Sequence, residues 1–313
     1  MIIHVFNGTG IDKAPLSGFL RANFPGGKIY PLTAKEIKAG ALRGSYASEE
    51  PPLLVLPGAY GAHHYTNLLQ PTHAGELNGL QEIRQFVHDG GNVIGFCAGA
   101  CLVGHHVCWD GNKKLSSDRG QTLGLLDVTS VGPLPEVVGY REVFDSSGNP
   151  HTFFNLGGSY FRKNPGADQV AFLGSYEKGS ENFGAVVSGR YGKGRVLAWQ
   201  PHPEYTTESL EKMHKAFKAA GVADNGYVTT DDSTYAAIAR GLEIFFANFE
   251  PRKISQGLFG RTVKQAFGPE PLKQTSALAG ITGNIRAPRS LSPTLEAIRL
   301  QIDRARWFQE GIS

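Results

Sequence analysis

Short apolar runs alternate with amphipathic stretches from the first residues of this chain onward. Ile2 to Phe6, Leu53 to Leu56 and Val93 to Phe96 are apolar segments bounded by Gly, Pro and Asn, too short for core helices and expected as buried strands. Between them, Pro15 to Phe24 and Glu76 to His88 carry helical spacing. The second places Leu77, Leu80, Ile83 and Val87 on one stripe and stops at Gly90-Gly91. Strand, helix, strand predicts a parallel sheet with helices on both faces, whose site lies beyond the carboxyl ends of the strands. The informative loops therefore follow Phe6, Leu56 and Phe96.

From about Leu125 to Trp199 the rhythm changes to shorter apolar segments: Val137 to Phe144, Thr152 to Asn155, Val170 to Ser175, Ala185 to Ser188 and Val196 to Trp199. Inserted hairpins are expected here, and Tyr191-Gly192-Lys193-Gly194 has the composition of a hairpin turn. Helices are expected again at Glu208 to Ala220 and Thr234 to Phe249, with Pro251 marking the end of the globular unit. Gly257 to Pro288 is rich in Gly, Pro, Ser and Thr, like a linker or wrapping arm. Ser292-Pro293 starts a last helix with Leu291, Leu295, Ile298, Ile302 and Ala305 on one face. That stripe is expected to dock on the chain's own domain, the alternatives being a second copy or a foreign protein. No internal repeat is present.

The 313 residues are long enough for a self-sufficient core, with 41% hydrophobic and 19% charged positions. A net charge of +3 implies no general affinity for nucleic acid or acidic membranes. The charge is uneven: residues 251 to 313 hold ten Lys/Arg against four Asp/Glu. Such a basic tail most often forms a solvated helix face. The three cysteines, Cys97, Cys101 and Cys108, fall within twelve residues, poor material for an extracellular disulfide framework. With no secretory leader pattern and no long apolar run, a cytoplasmic protein is expected, without a membrane partner.

The strongest chemical signal is Asn92-Val93-Ile94-Gly95-Phe96-Cys97-Ala98-Gly99-Ala100, an apolar strand running into G-x-C-x-G and then a helix. Small residues two before and two after the cysteine allow the sharp turn of a nucleophile elbow. At a helix N-terminus a thiol is favoured as thiolate, and backbone N–H groups can face an oxyanion. Val196 to Glu204 supplies a candidate base, a buried strand ending at His202 with Glu204 two residues on. Imidazole would take the thiol proton, and the carboxylate would fix the ring. Either half alone fits a packed cysteine or a surface histidine; the pair is far more specific. Cys97, Cys101 and His105, read as i, i+4, i+8 on one helix with His106 and Cys108 behind, could hold zinc, but burial of cysteines at helical spacing is the simpler reading, so no metal is assigned.

The elbow Gly95 to Gly99 together with His202-Pro203-Glu204 resembles the class I glutamine amidotransferase fold, whose members hydrolyse an amide through a thioester with a Cys-His-Glu triad. More narrowly, Leu56-Pro57-Gly58, Gly95-Phe96-Cys97-Ala98-Gly99, Phe154-Asn155-Leu156-Gly157-Gly158 and Gln200-Pro201-His202-Pro203-Glu204 are similar, in that order, to the biotin-protein ligase N-terminal domain family. The resemblance covers about residues 1 to 250 and leaves 251 to 313 as a basic arm. It implies a flavodoxin-like α/β fold, a doubly wound, mostly parallel sheet with inserted β-hairpins and a C-terminal helical extension. It further implies Cys97, His202 and Glu204 as catalytic groups, and Gly58 and Ala98 as backbone donors to the oxyanion. Ala59, Tyr60, Tyr65, Asn155 and Gly157 are expected to border the substrate, and the turn Asn7-Gly8-Thr9-Gly10 and the pair His63-His64 to lie nearby.

Two positions depart from glutamine-using relatives: Cys101 replaces the glutamine four residues after the nucleophile, and Ala59 a second loop glycine. Gly189 to Arg195 superficially matches the Gly/Arg-rich loop of biotin ligases but reads as a hairpin, and the ligase's own catalytic domain is not found, so biotin ligation is not expected. The expected partners are a small amide or acyl substrate and an acceptor synthase or other partner protein, with homo-oligomerisation open and no cofactor. The rival readings are a non-catalytic binding or regulatory module, and a thiol protease or redox sensor.

Overall fold

The structure, a computed structural model, describes residues 1–8, 11–12, 16–44, 50–59, 61–134, 136–219, 241–242, 244–255 and 257–268. The first half follows the expected alternation: β1 (Ile2–Asn7), β2 (Ile11–Asp12), α1 (Leu16–Asn23), β3 (Lys28–Thr33), α2 (Ala34–Lys38), β4 (Leu53–Leu56), β5 (Gly58–Ala59), α3 (Ala62–Leu69), α4 (Gly79–His88), β6 (Asn92–Phe96) and α5 (Ala98–Val103). Then come β7 (Gly104–Trp109), β8 (Asn112–Ser116), β9 (Leu126–Gly132), β10 (Val138–Asp145), β11 (Pro150–Leu156), β12 (Tyr160–Lys163), β13 (Ala171–Ser175), β14 (Gly184–Tyr191) and β15 (Gly194–Trp199). Helices α6 (Thr207–Ala219) and α7 (Gly257–Phe267) follow.

Strands β3, β1, β4, β6 and β15 lie side by side in that order, all parallel, forming the doubly wound core. Their alternate side chains enter two separate cores. Leu54, Leu56, Val93, Val196 and Ala198 pack with α2, α3, α4 and α5; Leu53, Val55, Ile94, Phe96, Leu197 and Trp199 pack with α1, α6 and α7. Burial on both faces is why these strands read as unbroken apolar runs rather than alternating patterns. Beyond β15 the sheet continues through β14, β12, β9, β7 and β8, while β10 pairs with β11 and β13. The inserted hairpins are present: β14 and β15 pair antiparallel across Tyr191 and Gly194, with Gly192 at φ 57° in the turn.

Three expectations differ from the structure. Helix α4 starts at Gly79, not Glu76, because Asn78 is its N-cap, its side-chain oxygen accepting from Leu80 N and Gln81 N at 3.0 and 3.2 Å. Helix α5 stops at Val103, and Gly104 opens β7, where a Cβ would stand 2.9 Å from the Val128 carbonyl of the neighbouring strand β9. His105, His106 and Cys108 are therefore strand residues, and the i, i+4, i+8 helical arrangement that suggested zinc does not exist. Past Pro251 the chain stays in the core: Ile254 is buried, and α7 inserts the fully buried Phe259 against Phe19, Phe24, Phe96 and Trp199. The first part of the presumed linker is thus a packed helix. Of the helix expected from Thr234 to Phe249, 241–242 and 244–247 are helical; the rest up to 240, and the stretch from Leu291 to Ala305, lie outside the described residues. No helix among the described residues is long and apolar enough to cross a membrane.

Candidate active site

Cys97 follows β6 and occupies φ 49°, ψ −112°, a conformation that costs a side chain free energy and is tolerated where the surroundings impose it. Both flanking glycines are sterically required. A Cβ on Gly95 would come within 2.6 Å of the Gly99 carbonyl oxygen, and one on Gly99 would overlap the Leu56 carbonyl oxygen. The G-x-C-x-G spacing is thus the mark of a strand and a helix crossing with no room for side chains. The Cys97 N–H donates to Trp199 O at 2.8 Å, and Cys101 N to Cys97 O at 2.9 Å, which closes the first turn of α5.

The sheet register brings His202 toward Cys97. Phe96 pairs with Trp199, so β6 and β15 end level and the next residues of each enter one crevice. The chain beyond β15 is pinned by Gln200 N to Ala185 O and His202 N to Phe154 O, both 2.9 Å. There His202 Nδ1 and Glu204 Oε1 lie 2.6 Å apart, with the two side chains 1% and 5% exposed. The rings of Tyr205 and Phe154 stand 5.3 and 6.3 Å from the imidazole. Burial alone would discharge this imidazole; the Glu204 and Cys97 charges outweigh it and hold its pKa well above the usual 6.5. Nε2 is buried without a hydrogen-bond partner of good geometry, although Cys97 is near enough to favour its charged form. The thiol instead donates to Leu156 O at 3.4 Å.

Strand β4 contributes the third loop. Leu56 pairs with Gly95, and Gly58, two residues on, sits so that a Cβ there would be 3.0 Å from His202 Cε1 and 3.7 Å from Cys97 Cβ. Ala98, buried, is the first residue of α5 beside the sulfur. Cys97, His202, Glu204, Gly58 and Ala98 are therefore brought together. The expected substrate contacts are placed variously. Tyr65 is fully buried, its hydroxyl donating to Pro57 O at 2.7 Å, so it holds the Pro57-Gly58 loop from beneath. Asn155 is buried one residue before the Leu156 carbonyl. Gly157, at φ 88°, donates its N–H to Val137 O at 2.7 Å. Ala59 is half-buried in β5, and Tyr60, like Thr9 and Gly10, lies outside the described residues.

Sequence reasoning missed a buried polar cluster behind the elbow. Ser159 Oγ donates to Gln200 Oε1 at 2.5 Å, and Gln200 Nε2 donates to Ser130 Oγ at 3.2 Å. Cys101 Sγ completes it, 3.5 Å from Ser159 Oγ and 3.6 Å from Gln200 Oε1. Burial raises the Cys101 thiol's pKa, against weaker opposing hydrogen bonds. The signal was Gln200 itself, a polar side chain directly after a buried strand. No group of three His, Cys, Asp or Glu side chains suited to a metal occurs among the described residues. A surface cavity of about 310 Å³, lined by Val5, Asn7, Leu16, Ser17, Arg21, Ile29 and Pro31, includes none of the residues around Cys97.

This constellation, a strained cysteine after one parallel strand and a His-Glu pair after its neighbour, coincides with a match to the family described as "Biotin-protein ligase, N terminal" over residues 27–240, more than half of the chain. The chain belongs to that family. No curated protein matches it. Among solved structures, a glutamine amidotransferase from Thermotoga maritima is similar at 15% identity and a TM-score of 0.47, covering 85% of this chain and 97% of that one. Another glutamine amidotransferase matches at 16% identity and a TM-score of 0.44, over 70% and 98% of the two chains. Within this biotin-protein ligase N-terminal domain, the elbow and the His-Glu pair both lie inside the matched span, whereas α7, which seals the second core, lies beyond it.

Proposed function

We propose that this protein is a cysteine-dependent amidohydrolase or amidotransferase-like enzyme that cleaves a carboxamide or related acyl bond through a thioester on Cys97, and that it is not itself a biotin ligase. The observation that carries the reading is the convergence of the Cys97 elbow with the buried His202–Glu204 pair at the ends of two adjacent parallel strands. His202 Nε2 takes the Cys97 proton, and the sulfur attacks the carbonyl carbon, forming a C–S bond while the carbonyl electrons move to oxygen. The backbone N–H groups of Gly58 and Ala98 receive that oxyanion. The imidazolium, held by Glu204, returns its proton to the leaving nitrogen as the C–N bond breaks. Water, deprotonated by His202, then hydrolyses the thioester to a carboxylic acid, and Cys97 recovers its proton. An amidotransferase would pass the released ammonia to a partner synthase. The three free, clustered cysteines suit a reducing compartment, which supports a cytoplasmic location.

A second reading has one observation in its favour: the thiol donates to the Leu156 carbonyl rather than to His202, as a resting or inactive sulfur would. In that reading the crevice binds a ligand without reacting. Intact-mass trapping separates the two. The enzyme reading requires an acyl adduct on Cys97 from some member of an amide panel, and faster iodoacetamide labelling of Cys97 than of Cys101 or Cys108. Equal labelling of all three thiols, with no adduct, would refute it and leave the binding module.

A further inference from the structure

Three side chains on or next to the inserted strands near Cys97 each hold one buried polar atom without a hydrogen-bond partner. Arg141, on β10, donates from Nη2 to the Glu136 carbonyl at 3.2 Å, and Asn155, on β11, approaches the same carbonyl from Nδ2 at 3.5 Å. The two side chains therefore meet at one backbone oxygen. Asn155 Nδ2 also reaches Val137 O at 3.5 Å, which assigns Oδ1 as the free acceptor. Tyr176 follows β13, which runs antiparallel to β10 with Ser175 opposite Phe144, so its ring is carried toward Arg141. Arg141 Nε, Tyr176 Oη and Asn155 Oδ1 are each buried with no hydrogen-bond partner. Leaving one such atom unpaired is costly; three around one place mark a site that a ligand completes.

The position fits the chemistry at Cys97. Asn155 adjoins Leu156, whose carbonyl receives the thiol. The Tyr176 hydroxyl is near enough to Arg141, Cys97 and Cys101 to feel the charge of each. Burial, the dominant influence, keeps that hydroxyl protonated, a donor. Arg141 also lies 3.9 Å from the Glu136 carboxylate, which is 76% exposed and turned to water. Two donors with one cation suit a carboxylate, and the acceptor suits the N–H of a carboxamide.

We propose that Arg141, Tyr176 and Asn155 form a carboxylate-recognition site that selects, as substrate, the monoamide of a dicarboxylic acid. The inference rests on the amidohydrolase reading for turnover but not for binding, so the test separates them. Full-length Cys97→Ser protein is titrated with glutaramate and its neutral diamide glutaramide, with binding read by calorimetry. Glutaramate is expected to bind at least tenfold tighter than the diamide. Arg141→Ala should weaken it tenfold or more, Arg141→Lys by less, and Tyr176→Phe severalfold, with melting temperatures reported for each. Equal affinity for glutaramate and the diamide, or no detectable binding of either, overturns the site. So does an Arg141→Ala protein that stays folded and binds glutaramate normally. Binding that follows the expected pattern without ammonia release from glutaramate by the unmodified enzyme upholds the site and refutes the proposed chemistry.

Discussion

Replacing Gly58 by alanine isolates the geometry on which the thiol chemistry depends. The new methyl carbon would stand 3.0 Å from His202 Cε1 and 3.7 Å from Cys97 Cβ, so it presses on the imidazole and merely touches the cysteine. Comfortable carbon contacts begin at about 3.5 Å, so the ring must retreat by roughly 0.5 Å. It has little freedom to do so, being 1% exposed and tied to Glu204 at 2.6 Å. Overpacking of this kind costs about 1–3 kcal/mol, a loss of several degrees in Tm for a domain of this size. A misplacement of about 1 Å can cost a reacting pair ~100-fold, so half that distance should slow the reaction roughly tenfold. The assay is the second-order rate of Cys97 alkylation by iodoacetamide at pH 7, followed by peptide mass spectrometry, alongside thermal unfolding. In a His202→Ala background, where the ring is absent, the added methyl should have almost no further effect on labelling. An unchanged rate with an unchanged Tm, or the same loss in both backgrounds, would refute the argument.

Gly99→Ala should be far worse, losing more than about 3 kcal/mol or failing to yield folded protein, because its methyl meets the Leu56 backbone rather than a movable side chain; a urea midpoint near wild type would contradict this. His202 should titrate above 6.5 by imidazole NMR, and Glu204→Gln should bring it down. Because the folded pKa is raised, the stability from this pair is full below about 6.5 and disappears as pH rises through the folded value, so the urea midpoint should fall over that range in wild type but not in Glu204→Gln. Phe259→Ala should cost about 3–5 kcal/mol by denaturant unfolding, and ending the chain at Glu250 should cost more, since both uncover the second core. Gln200→Leu strands the Ser159 and Ser130 hydroxyls and should cost about 1–3 kcal/mol; a neutral result would show that the cluster is dispensable.

The amino-acid sequence alone determined the parallel core and pointed to the residues that meet at Cys97. Ile2 to Phe6, Leu53 to Leu56 and Val93 to Phe96 are legible because a strand buried on both faces must be apolar at every position, and Gly95 and Gly99 because no side chain fits where strand and helix cross. His202 and Glu204 are legible because ionisable side chains directly after the buried apolar run Val196 to Trp199 lie at the strand end where a site is expected. Tertiary structure decided what depends on partners distant in sequence. Helix α5 ends after Val103 because Gly104 is drawn into pairing with β9, a preference that the local run from Cys97 to Cys108 does not encode. Helix α7 looks like linker sequence, and only the aromatic hollow formed by Phe19, Phe24, Phe96 and Trp199 makes it a core element. Likewise Arg141 on β10, Asn155 on β11 and Tyr176 just after β13 share no motif; the antiparallel register brings them to one region of the sheet, because hydrogen-bonded pairing, not sequence proximity, fixes which side chains become neighbours.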